Sequence, residues 1–515
     1  MPEYLSPGVY VVEEDKGPKP IEGVGTAVAA FVGFAQKGDY REPKLITNWS
    51  QFVGEFGGFM PGSYLAHAVY GYFQNGGGRC FVTRIHDGSE GAPAKGQERA
   101  AEAYLPGRGE ARVPVLGVVA RDPAADISVE VAPPAEGGGE ETFTLIVHAG
   151  EREERFPNLS VGRGRGVRNV VDVVAKESTL IRVELKEGAA EAPAIGTYKL
   201  AAPAGGAVAT AEGVTLDTFV GKVEERTGIK GLEVAEQATM LCVPDLMAAY
   251  EHKLIDMGVV IGVQNAMIKH CENVKNCVAI LDCPPGLSPQ QMLDWRMNVA
   301  NHASDRGYAA LYYPWLVISN PAAGGAATSV PPSGHVAGIW ARSDNERGVH
   351  KAPANEVVGG AIALETQITK GEQDFLNKEG INCIRAFPGR GIRVWGARTI
   401  SSNPSWRYLN VRRLFNFVEE SIKNGTQWVV FEPNDRDLWE RVKRDVSVFL
   451  TRVWQDGALF GSTPAEAFFV KCDDETNPPS VRDAGQLVIQ IGIAPVKPAE
   501  FVIFKISQYA AEPTP

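Results

Sequence analysis

The residues in this sequence that could most readily do chemistry are three cysteines next to a histidine. Cys271, Cys277 and Cys283 are each separated from the next by five residues, and His270 precedes the first. Thiolate and imidazole are zinc ligands, but zinc sites usually take their cysteines from pairs with about two to four residues between them. Residues 278–281 form an apolar run that predicts a buried strand. The spacing therefore favours reduced, buried packing thiols, and we expect no bound metal.

Three other segments have some features of a nucleotide site. Residues 389–394 begin like a dinucleotide fingerprint, but Val394 occupies the place of the third glycine. Residues 162–166 form a basic, glycine-rich loop, for which the pattern predicts neither a strand before it nor a helix after it. The apolar run 278–281 ends in Asp282, as in strands that hold magnesium in nucleotide hydrolases, yet the sequence has no G-x-x-x-x-G-K-[ST] phosphate loop. We therefore predict that Asp282 caps a turn.

The remaining pattern predicts no catalytic residue and no cofactor. The H-E-x-x-H, G-x-S-x-G and EF-hand motifs are missing, and the eight histidines are scattered. His67 lies between two alanines in a helical segment, which predicts a packing role with its polar atoms satisfied. Catalytic triads assemble in space, so a cytosolic α/β enzyme that binds or hydrolyses a nucleotide stays the alternative hypothesis. Five tryptophans are predicted to lie in the core: Trp395, Trp406, Trp428, Trp439 and Trp454.

The composition is that of a globular protein and argues against several functions. Of the 515 residues, 44% are hydrophobic and 22% are charged, which suits about two to four domains with cores of their own. The net charge of −11 argues against nucleic-acid binding, which normally needs a basic surface. No run approaches the ~18–20 apolar residues that span a bilayer, so we expect no direct membrane insertion. Residues 1–4 do not start a secretion signal, so we expect assembly in the cytoplasm.

The order of predicted elements indicates an α/β (α+β) core domain built from both ends of the chain. Strands and helices over 23–90 form its first part, and their alternation over 236–495 forms its second part. Short alternating strands with glycine- and proline-rich turns over 91–235 predict an inserted, mainly β domain on the outer surface. Residues 1–22 and 496–515 are predicted to be extended, and we name them the N-terminal arm and the C-terminal arm.

Two helices near the C-terminus and the run between them give the clearest periodicity. Apolar residues recur at helical spacing over 406–423, and Gly425 follows as a stop signal. The run 428–431 predicts a buried strand, and residues 433–435 supply turn and cap chemistry for a helix over 435–455. That helix places six residues on its apolar face: Leu438, Val442, Val446, Phe449, Leu450 and Val453. Other predicted strands are 26–34, 80–85, 127–131, 142–147, 278–281, 487–493 and 501–506, with one entering a loop over 239–245.

Both arms are β-prone and are separated from the core by prolines. The residues that give them this character are Val9, Tyr10, Val11 and Val12 in the N-terminal arm and Phe501, Val502, Ile503 and Phe504 in the C-terminal arm. A strand that cannot complete a sheet at home can add to the edge of a neighbour's sheet. Each arm could instead pair within its own chain, and the pattern leaves both arrangements open.

Several segments, in order, resemble the sheath proteins of contractile tails. The resemblance is strong over residues 380–510, good over 1–85 and weak across the insertion. The segments that carry it are Tyr4 to Tyr10, Ala386 to Thr399, Tyr408 to Arg413, Thr426 to Asn434 and Ala494 to Phe501. Such an ordered series is far more specific than one short motif.

This resemblance implies a structural protein and not an enzyme. Family members polymerise helically with copies of themselves around an inner tube protein, with baseplate and terminal cap proteins at the ends. Their arms exchange strands between neighbours, which would give residues 1–22 and 496–515 that role. Contraction is a rigid-body rearrangement from a metastable extended state, so no nucleotide site is implied. The particle would assemble in a bacterial cytoplasm, as a phage tail or a phage-tail-like injection system.

The resemblance also implies that a charged helix of the core domain faces the tube. The helix over 435–455 carries Arg441, Lys443, Arg444 and Arg452 opposite its apolar face. These residues are our candidates for the tube contact, although an ordinary solvated helix face fits the pattern equally well. A third hypothesis, a surface-layer or adhesin-like protein that uses the β insertion, would require an export signal.

Overall fold

The structure is a computed structural model that describes residues 20–85, 102–108, 114–121, 127–135, 137, 139, 142–149, 152–162, 168–185, 192–200 and 213–503. Val9, Tyr10, Val11, Val12 and Phe504 lie outside the described residues, and so does most of the glycine-rich loop 162–166. The predictions for these residues therefore stay predictions.

Strands and helices alternate along much of the described chain. The strands are β1 (Val28–Gly33), β2 (Lys44–Ile46), β3 (Arg79–Arg84), β4 (Glu102–Pro106), β5 (Pro114–Ala120), β6 (Ile127–Ala132), β7 (Phe143–Ala149), β8 (Arg152–Leu159), β9 (Ile181–Leu185), β10 (Gly196–Lys199), β11 (Met240–Cys242), β12 (Val278–Asp282), β13 (Ala309–Tyr313), β14 (Leu316–Ser319), β15 (Ala327–Val330), β16 (Glu356–Val357), β17 (Ala361–Leu364), β18 (Ile381–Phe387), β19 (Gly391–Val394), β20 (Phe468–Lys471) and β21 (Gln490–Ile493). The helices are α1 (Trp49–Phe56), α2 (Leu65–Gln74), α3 (Val170–Glu177), α4 (Leu216–Val220), α5 (Asp245–Glu251), α6 (Met257–Val274), α7 (Pro289–Asp294), α8 (Ser333–Arg347), α9 (Lys370–Lys378), α10 (Leu409–Gly425), α11 (Arg436–Gln455), α12 (Pro464–Ala467) and α13 (Pro479–Asp483).

The largest sheet joins strands that lie before residue 85 to strands that lie between residues 240 and 394. Its strand order is β16-β19-β18-β13-β12-β11-β1-β3-β2. β1 pairs in parallel with β3 and with β11, which follows it by more than two hundred residues along the sequence. The central pairs are parallel, and antiparallel strands close the two edges. The chain therefore has a mixed α/β architecture in which β1 and β3 complete a sheet made mostly by later residues.

Helices cover both faces of this sheet because its central strands are apolar on both sides. Alternate residues of a strand point to opposite faces: Ala30 and Val32 belong to one buried cluster, and Ala29 and Phe31 belong to the other. Helices α5, α6, α7 and α9 contribute to the first cluster, and α1, α2 and α8 contribute to the second. The predicted strands over 26–34, 80–85 and 278–281 are confirmed.

Residues 102–200 form two smaller sheets with their own apolar core. One sheet has the order β4-β5-β9 and the other β10-β6-β7-β8, and all of their pairs are antiparallel. The core between them includes Leu116, Val129, Leu145, Val170 and Ile181. The strands predicted at 127–131 and 142–147 are confirmed.

The end of the predicted insertion packs elsewhere. Phe219, Ile229 and Leu232 lie before residue 235, yet they belong to the buried cluster on one face of the large sheet. Phe219 makes an edge contact with Phe34, with ring centroids 6.0 Å apart. The segment from about residue 214 therefore packs with the core. The sequence predicts the end of the insertion at residue 235, because the alternation of helices and strands resumes there.

The buried strand predicted over 428–431 is wrong. Residues Gln427–Val429 form a short 3-10 turn, and the Val430 and Phe431 side chains are 65% and 103% exposed. Local hydrogen bonds from the amides of Val429, Val430 and Glu432 to carbonyls three residues earlier satisfy the backbone. A strand needs a partner backbone, and this segment only reverses the chain between two packed helices. Apolar composition alone could not reveal that.

The C-terminal end differs from its prediction in part. The strand predicted over 487–493 is confirmed for β21. Phe501, Val502 and Ile503, predicted to start a strand, have no strand conformation and are 70%, 70% and 79% exposed. An apolar segment with no partner strand cannot satisfy its backbone groups by pairing, so these residues extend into solvent.

Candidate assembly interface

The C-terminal region is organised around α10 and α11, whose apolar residues share one buried core. The Asp435 side chain accepts a hydrogen bond from the Leu438 amide at 2.9 Å and caps α11, as the sequence predicts. Leu414 and Val418 of α10 meet the apolar face of α11. All six residues predicted for that face are buried, so its prediction is confirmed: Leu438, Val442, Val446, Phe449, Leu450 and Val453.

The four basic residues proposed for the tube contact do not share one side of α11. At about 100° per residue, Arg441, Arg444 and Arg452 fall within about 80° of one another around the helix axis. Lys443 lies about 160° from Arg441, on the opposite flank. Arg441, Arg444 and Arg452 are exposed, and Lys443 is half-buried. The helix therefore presents a three-arginine face, and Lys443 is separate from it.

Neighbouring groups already pair with three of these residues. The Arg441 guanidinium carbon lies 4.6 Å from the centroid of the Trp428 ring, and its Nη1 lies 4.0 Å from a Glu432 carboxylate oxygen. Lys443 pairs with Glu440 at 2.5 Å, and Arg444 with Asp445 at 3.2 Å. The Arg441–Glu432 pair is exposed, and such pairs contribute little to stability, about 0–1 kcal/mol each. Arg441 can therefore exchange this contact for another at small cost, whereas Arg444 pairs with a carboxylate that is only 3% exposed and is held more firmly.

A small sheet beside the helix pair has open edges. β20 and β21 pair antiparallel, and within the described residues no third strand joins either edge. Val470, Ile491 and Ile493 pack against the helix-pair core, while Phe469 lies across Gly492 on the other face and is 59% exposed. An isolated two-stranded sheet is marginally stable and can accept a further strand.

Two arginines at the start of α10 have structural roles that sequence reasoning missed. Arg412 is 1% exposed, and its guanidinium carbon lies 4.5 Å from the ring centroid of Tyr308 and 4.4 Å from that of Trp406. Burial lowers the pKa of Arg412. Arg413 pairs with Asp344 of α8. Tyr308 and Asp344 lie more than sixty residues away in the sequence, so no local pattern could indicate these two contacts.

Asp282 accepts hydrogen bonds from the start of a distant helix, whereas the sequence predicts that it caps a turn. It accepts hydrogen bonds from the Ser333 amide at 2.9 Å and from the Ser333 hydroxyl at 2.6 Å, at the first turn of α8. Burial raises the pKa of Asp282 to about 7.

The segment 389–394 begins in the turn of the β18–β19 hairpin, where Gly389 and Gly391 have φ of +70° and +76°. Its glycines shape a turn and do not approach a phosphate site.

A second buried carboxylate, Asp245, joins three loops. Its oxygens accept hydrogen bonds from the Phe34 amide at 2.6 Å, the Ser63 hydroxyl at 2.9 Å and the Leu65 amide at 3.2 Å, and from the Tyr64 amide. Burial raises the pKa of Asp245 to about 6, and these hydrogen bonds oppose the rise. Its partners lie about 180 to 211 residues away, so sequence spacing gave no signal of this contact.

The cysteines are packing residues, as predicted. All seven cysteines are unpaired and buried, and within the described ranges no three metal-ligating side chains come together.

The expectations for His67 and for the tryptophans need correction. His67 stacks on Phe59 with ring centroids 4.6 Å apart, but its Nδ1 has no hydrogen-bond partner, so its polar atoms are not all satisfied. Of the five tryptophans predicted to be core, Trp439 is buried and the others are half-buried, because they border exposed loops.

Comparison with known proteins assigns the chain to a family. Residues 224–400 match the phage tail sheath protein central domain, and residues 401–508 match the phage tail sheath C-terminal domain. The two matches together cover more than half of the chain. This chain belongs to the phage tail sheath family. It is a structural subunit of a contractile sheath, and the resemblance seen in the sequence is confirmed.

Curated relatives of this sheath protein are themselves tail sheath proteins. That of Burkholderia phage BcepMu is 24% identical over 523 residues, which cover 97% of this chain and 95% of that protein. That of Vibrio phage KVP40 is 30% identical over 177 residues, which cover 34% of this chain and only 26% of that protein. The chain thus spans about a quarter of the length of some relatives and almost all of another.

Solved sheath structures share the fold over almost the whole chain. The helical sheath of the anti-feeding prophage in its contracted state is 24% identical, with a TM-score of 0.59 over 98% of this chain and 99% of that one. The sheath complex of an extracellular contractile injection system named PVC, also contracted, is 22% identical with a TM-score of 0.57 over 99% of each chain. Every helix in the described part of the sheath protein is too short or too polar to cross a membrane.

Proposed function

We propose that this sheath protein polymerises into a helix of its own copies around an inner tube and shortens to drive the tube through a target envelope. The observation that carries the proposal is the open two-stranded sheet β20–β21 in a chain of the phage tail sheath family. Within the described residues, no third strand pairs with either edge of this sheet, so each edge could accept another strand. Contacts between different surfaces of identical subunits do not close on themselves and so build a helical filament.

The arms supply the missing strands. The C-terminal arm leaves the body beyond Glu500 with Phe501, Val502 and Ile503 exposed, and the N-terminal arm carries the β-prone run Val9–Val12. An arm from one subunit that adds to the β20–β21 edge of another would satisfy the backbone groups of both. Because the connection is made by extended segments, the bodies can change their relative positions without losing the connection.

The three-arginine face of α11 is the proposed contact with the tube. Arg441, Arg444 and Arg452 are exposed on it, and the exposed Arg441–Glu432 pair is weak. A tube that carries acidic side chains would bind this face through screened contacts that can be made and lost in turn. Such contacts suit a tube that the sheath must release. Lys443 lies on the other flank and is not part of this proposed surface.

The remaining partners and the setting follow from the family. We propose that baseplate and terminal cap proteins bind the ends of the polymer and that the particle, a phage tail or a tail-like injection system, assembles in the bacterial cytoplasm. Contraction needs no nucleotide because the extended arrangement is metastable. Asp282, the residue that could have held magnesium, has its carboxylate engaged by Ser333 instead. We therefore propose that the chain has no catalytic activity.

Electron microscopy of the full chain expressed alone tests the proposal. We expect striated helical tubes, because the arms and the open sheet are present in every copy. A matched preparation co-expressed with the tube protein from the same particle should give longer, filled tubes. If both preparations contain only compact particles of uniform size, the chain does not form a sheath by itself or on a tube, and the proposal is wrong.

A further inference from the structure

Both arms leave the body at opposite ends of one helix, α10. This helix has 17 residues and is therefore about 25 Å long. Tyr408, the residue before α10, contacts Glu500 at the base of the C-terminal arm. Gly425, the last residue of α10, contacts Ile21 at the base of the N-terminal arm. The helix thus lies between the two points at which the chain becomes an arm.

Glu500 is held by three side chains that come from separate parts of the core. Arg398 donates from Nε to Oε1 at 2.9 Å and from Nη2 to Oε2 at 2.6 Å. Asn377 at the end of α9 donates to Oε1 at 2.7 Å, and the Tyr408 hydroxyl donates to Oε2 at 3.1 Å. The Arg398 and Glu500 side chains are 11% and 19% exposed. A bidentate guanidinium–carboxylate pair is both strong and specific in direction.

The arginine itself is fixed by a second group of contacts. Asn382, fully buried on β18, accepts from the Arg398 amide at 2.7 Å and donates to the Arg398 carbonyl at 2.7 Å. Arg398 Nη1 also donates to the Asn377 carbonyl at 3.0 Å. The Arg398 backbone is therefore held by Asn382, and its guanidinium has a partner besides Glu500, as expected of a supported binding site.

Residues before Glu500 are also tied to the body. The Val496 amide donates to the Ala458 carbonyl at 3.1 Å, and the Val496 carbonyl accepts from the buried Asn410 side chain at 3.1 Å. Burial alone would raise the pKa of Glu500, but hydrogen bonds from Arg398, Asn377 and Tyr408 hold that pKa below its usual value. The side chain is therefore an ionised carboxylate. Directly after it, Phe501 is 70% exposed.

The N-terminal arm has an apolar equivalent at the other end of α10. Ile21 is 2% exposed, and a Cβ added to Gly425 would lie 2.7 Å from its side chain, so glycine is needed for this contact. The Ser421 hydroxyl accepts from the Val24 amide at 3.1 Å. Arg413 of the same helix donates to the Thr26 carbonyl at 3.1 Å. The first described residues therefore follow α10 back toward β1.

We infer that Arg398, Asn377 and Tyr408 form a socket in which Glu500 fixes the exit point of the C-terminal arm, so that a neighbour's pull on the arm is passed to α10. This inference rests on the proposed exchange of arms. With Glu500 released, residues 497–500 would be free to extend to a span of at most about 13 Å and so absorb part of the pull. Glu500 is thus a positioning residue: it sets the length of the free arm and its distance from Ile21.

The first test measures the socket directly in the full-length chain. Glu500→Gln keeps the side-chain shape and removes the charge, and Arg398→Lys replaces the bidentate donor with a single ammonium. We expect hydrogen exchange at the Val496 amide to become about tenfold faster or more in both variants. Glu224→Gln, at an exposed glutamate far along the sequence, is the matched control and should change nothing.

The second test measures what the socket does in the polymer. Cryo-electron microscopy of Glu500→Gln polymers should show a spread of helical twist and rise, where Glu224→Gln polymers keep one value of each. Glu500→Asp keeps the charge, and its polymers should show a narrower spread of twist and rise than Glu500→Gln polymers. Unchanged exchange at Val496, or unchanged twist and rise in Glu500→Gln polymers, would overturn the inference.

Deletion of residues 501–515 separates this inference from the proposed function. If the deletion abolishes long polymers while Glu500→Gln keeps one twist and rise, arm exchange stands and the positioning role of Glu500 is wrong. If the deletion leaves polymers of normal length, exchange of the C-terminal arm is wrong, and the inference fails with it. Loss of long polymers on deletion, with a widened spread for Glu500→Gln, supports both.

Discussion

Arg413 and Asp344 form a bidentate ion pair inside the protein, with Nη1 to Oδ1 at 2.8 Å and Nη2 to Oδ2 at 2.5 Å. The two side chains are 3% and 2% exposed. The Thr26 hydroxyl donates to the same carboxylate at 2.6 Å, and the Arg413 guanidinium carbon lies 4.9 Å from the centroid of the Trp340 ring. The pair therefore ties α10 to α8 and to the segment before β1.

Removal of one member of this pair should destabilise the chain strongly. In Asp344→Ala, Arg413 stays buried without its counter-charge, and the expected loss in the free energy of unfolding is about 3–5 kcal/mol. Denaturant unfolding followed by tryptophan fluorescence measures it. The matched control is Asp474→Ala, which breaks the exposed Arg436–Asp474 pair at 2.7 Å and should cost about 0–1 kcal/mol. Equal losses in the two variants would contradict the structural role of the buried pair.

Periodic elements could be predicted from the sequence because a helix or strand face is a local property. The six residues predicted for the apolar face of α11 are all buried, since residues at helical spacing lie on one side of the helix. The strands at 26–34 and 278–281 were predicted for the same reason: buried parallel strands are short, continuous apolar runs. The family resemblance, in turn, depended on several segments in a fixed order along the chain and not on these patterns.

Contacts between distant residues could not be predicted. The socket for Glu500 joins residues separated by up to 123 positions, and each member is unremarkable in its own segment. The run 428–431 shows that a local pattern can also mislead. Its apolar residues predict burial, but Phe431 lies in solvent with φ of +69° because the chain must reverse there. The three-arginine face also needed the structure, since sequence proximity had placed Lys443 with it.

Acid should destabilise the folded chain through buried histidines. Burial lowers the pKa of His67, His270, His302 and His335 from 6.5 to about 4. Between these values the unfolded chain binds protons that the folded chain does not, so the free energy of unfolding falls as the pH drops from 6.5 to 4. Asp245 and Asp282, with raised pKa values of about 6 and about 7, act in the opposite direction.

His67→Leu isolates one of these contributions. Between pH 7 and pH 4.5, the free energy of unfolding should fall by about 2–3 kcal/mol less in the variant than in the wild type. The reason is that the variant no longer carries a histidine that must stay unprotonated in the folded chain. Denaturant unfolding at the two pH values measures the difference. Replacement of the exposed His252 by leucine should leave the wild-type pH dependence in place. The same dependence in His67→Leu as in the wild type would show that burial of His67 does not govern its protonation.

Asp282 should act as a structural cap and not as a metal ligand. Asp282→Ala removes the acceptor of two hydrogen bonds from Ser333 and should cost about 1–3 kcal/mol. Asp282→Asn keeps one acceptor oxygen and should cost less. Thermal unfolding of the wild type with and without magnesium and ATP is the discriminating measurement. An upward shift with the nucleotide that disappears in Asp282→Asn would favour the alternative hypothesis of a nucleotide-dependent enzyme.

Charge reversal on the three-arginine face should weaken binding to the tube. Arg441→Glu with Arg452→Glu reverses two exposed charges, and we expect about tenfold weaker co-sedimentation with assembled tube protein at low salt. Lys443→Glu has the same chemistry on the opposite flank of α11 and should bind the tube like the wild type. The difference should shrink as salt rises, because exposed charges are screened. If Lys443→Glu weakens binding as much as the double variant, net charge and not this face governs the contact, and the proposed tube surface is wrong.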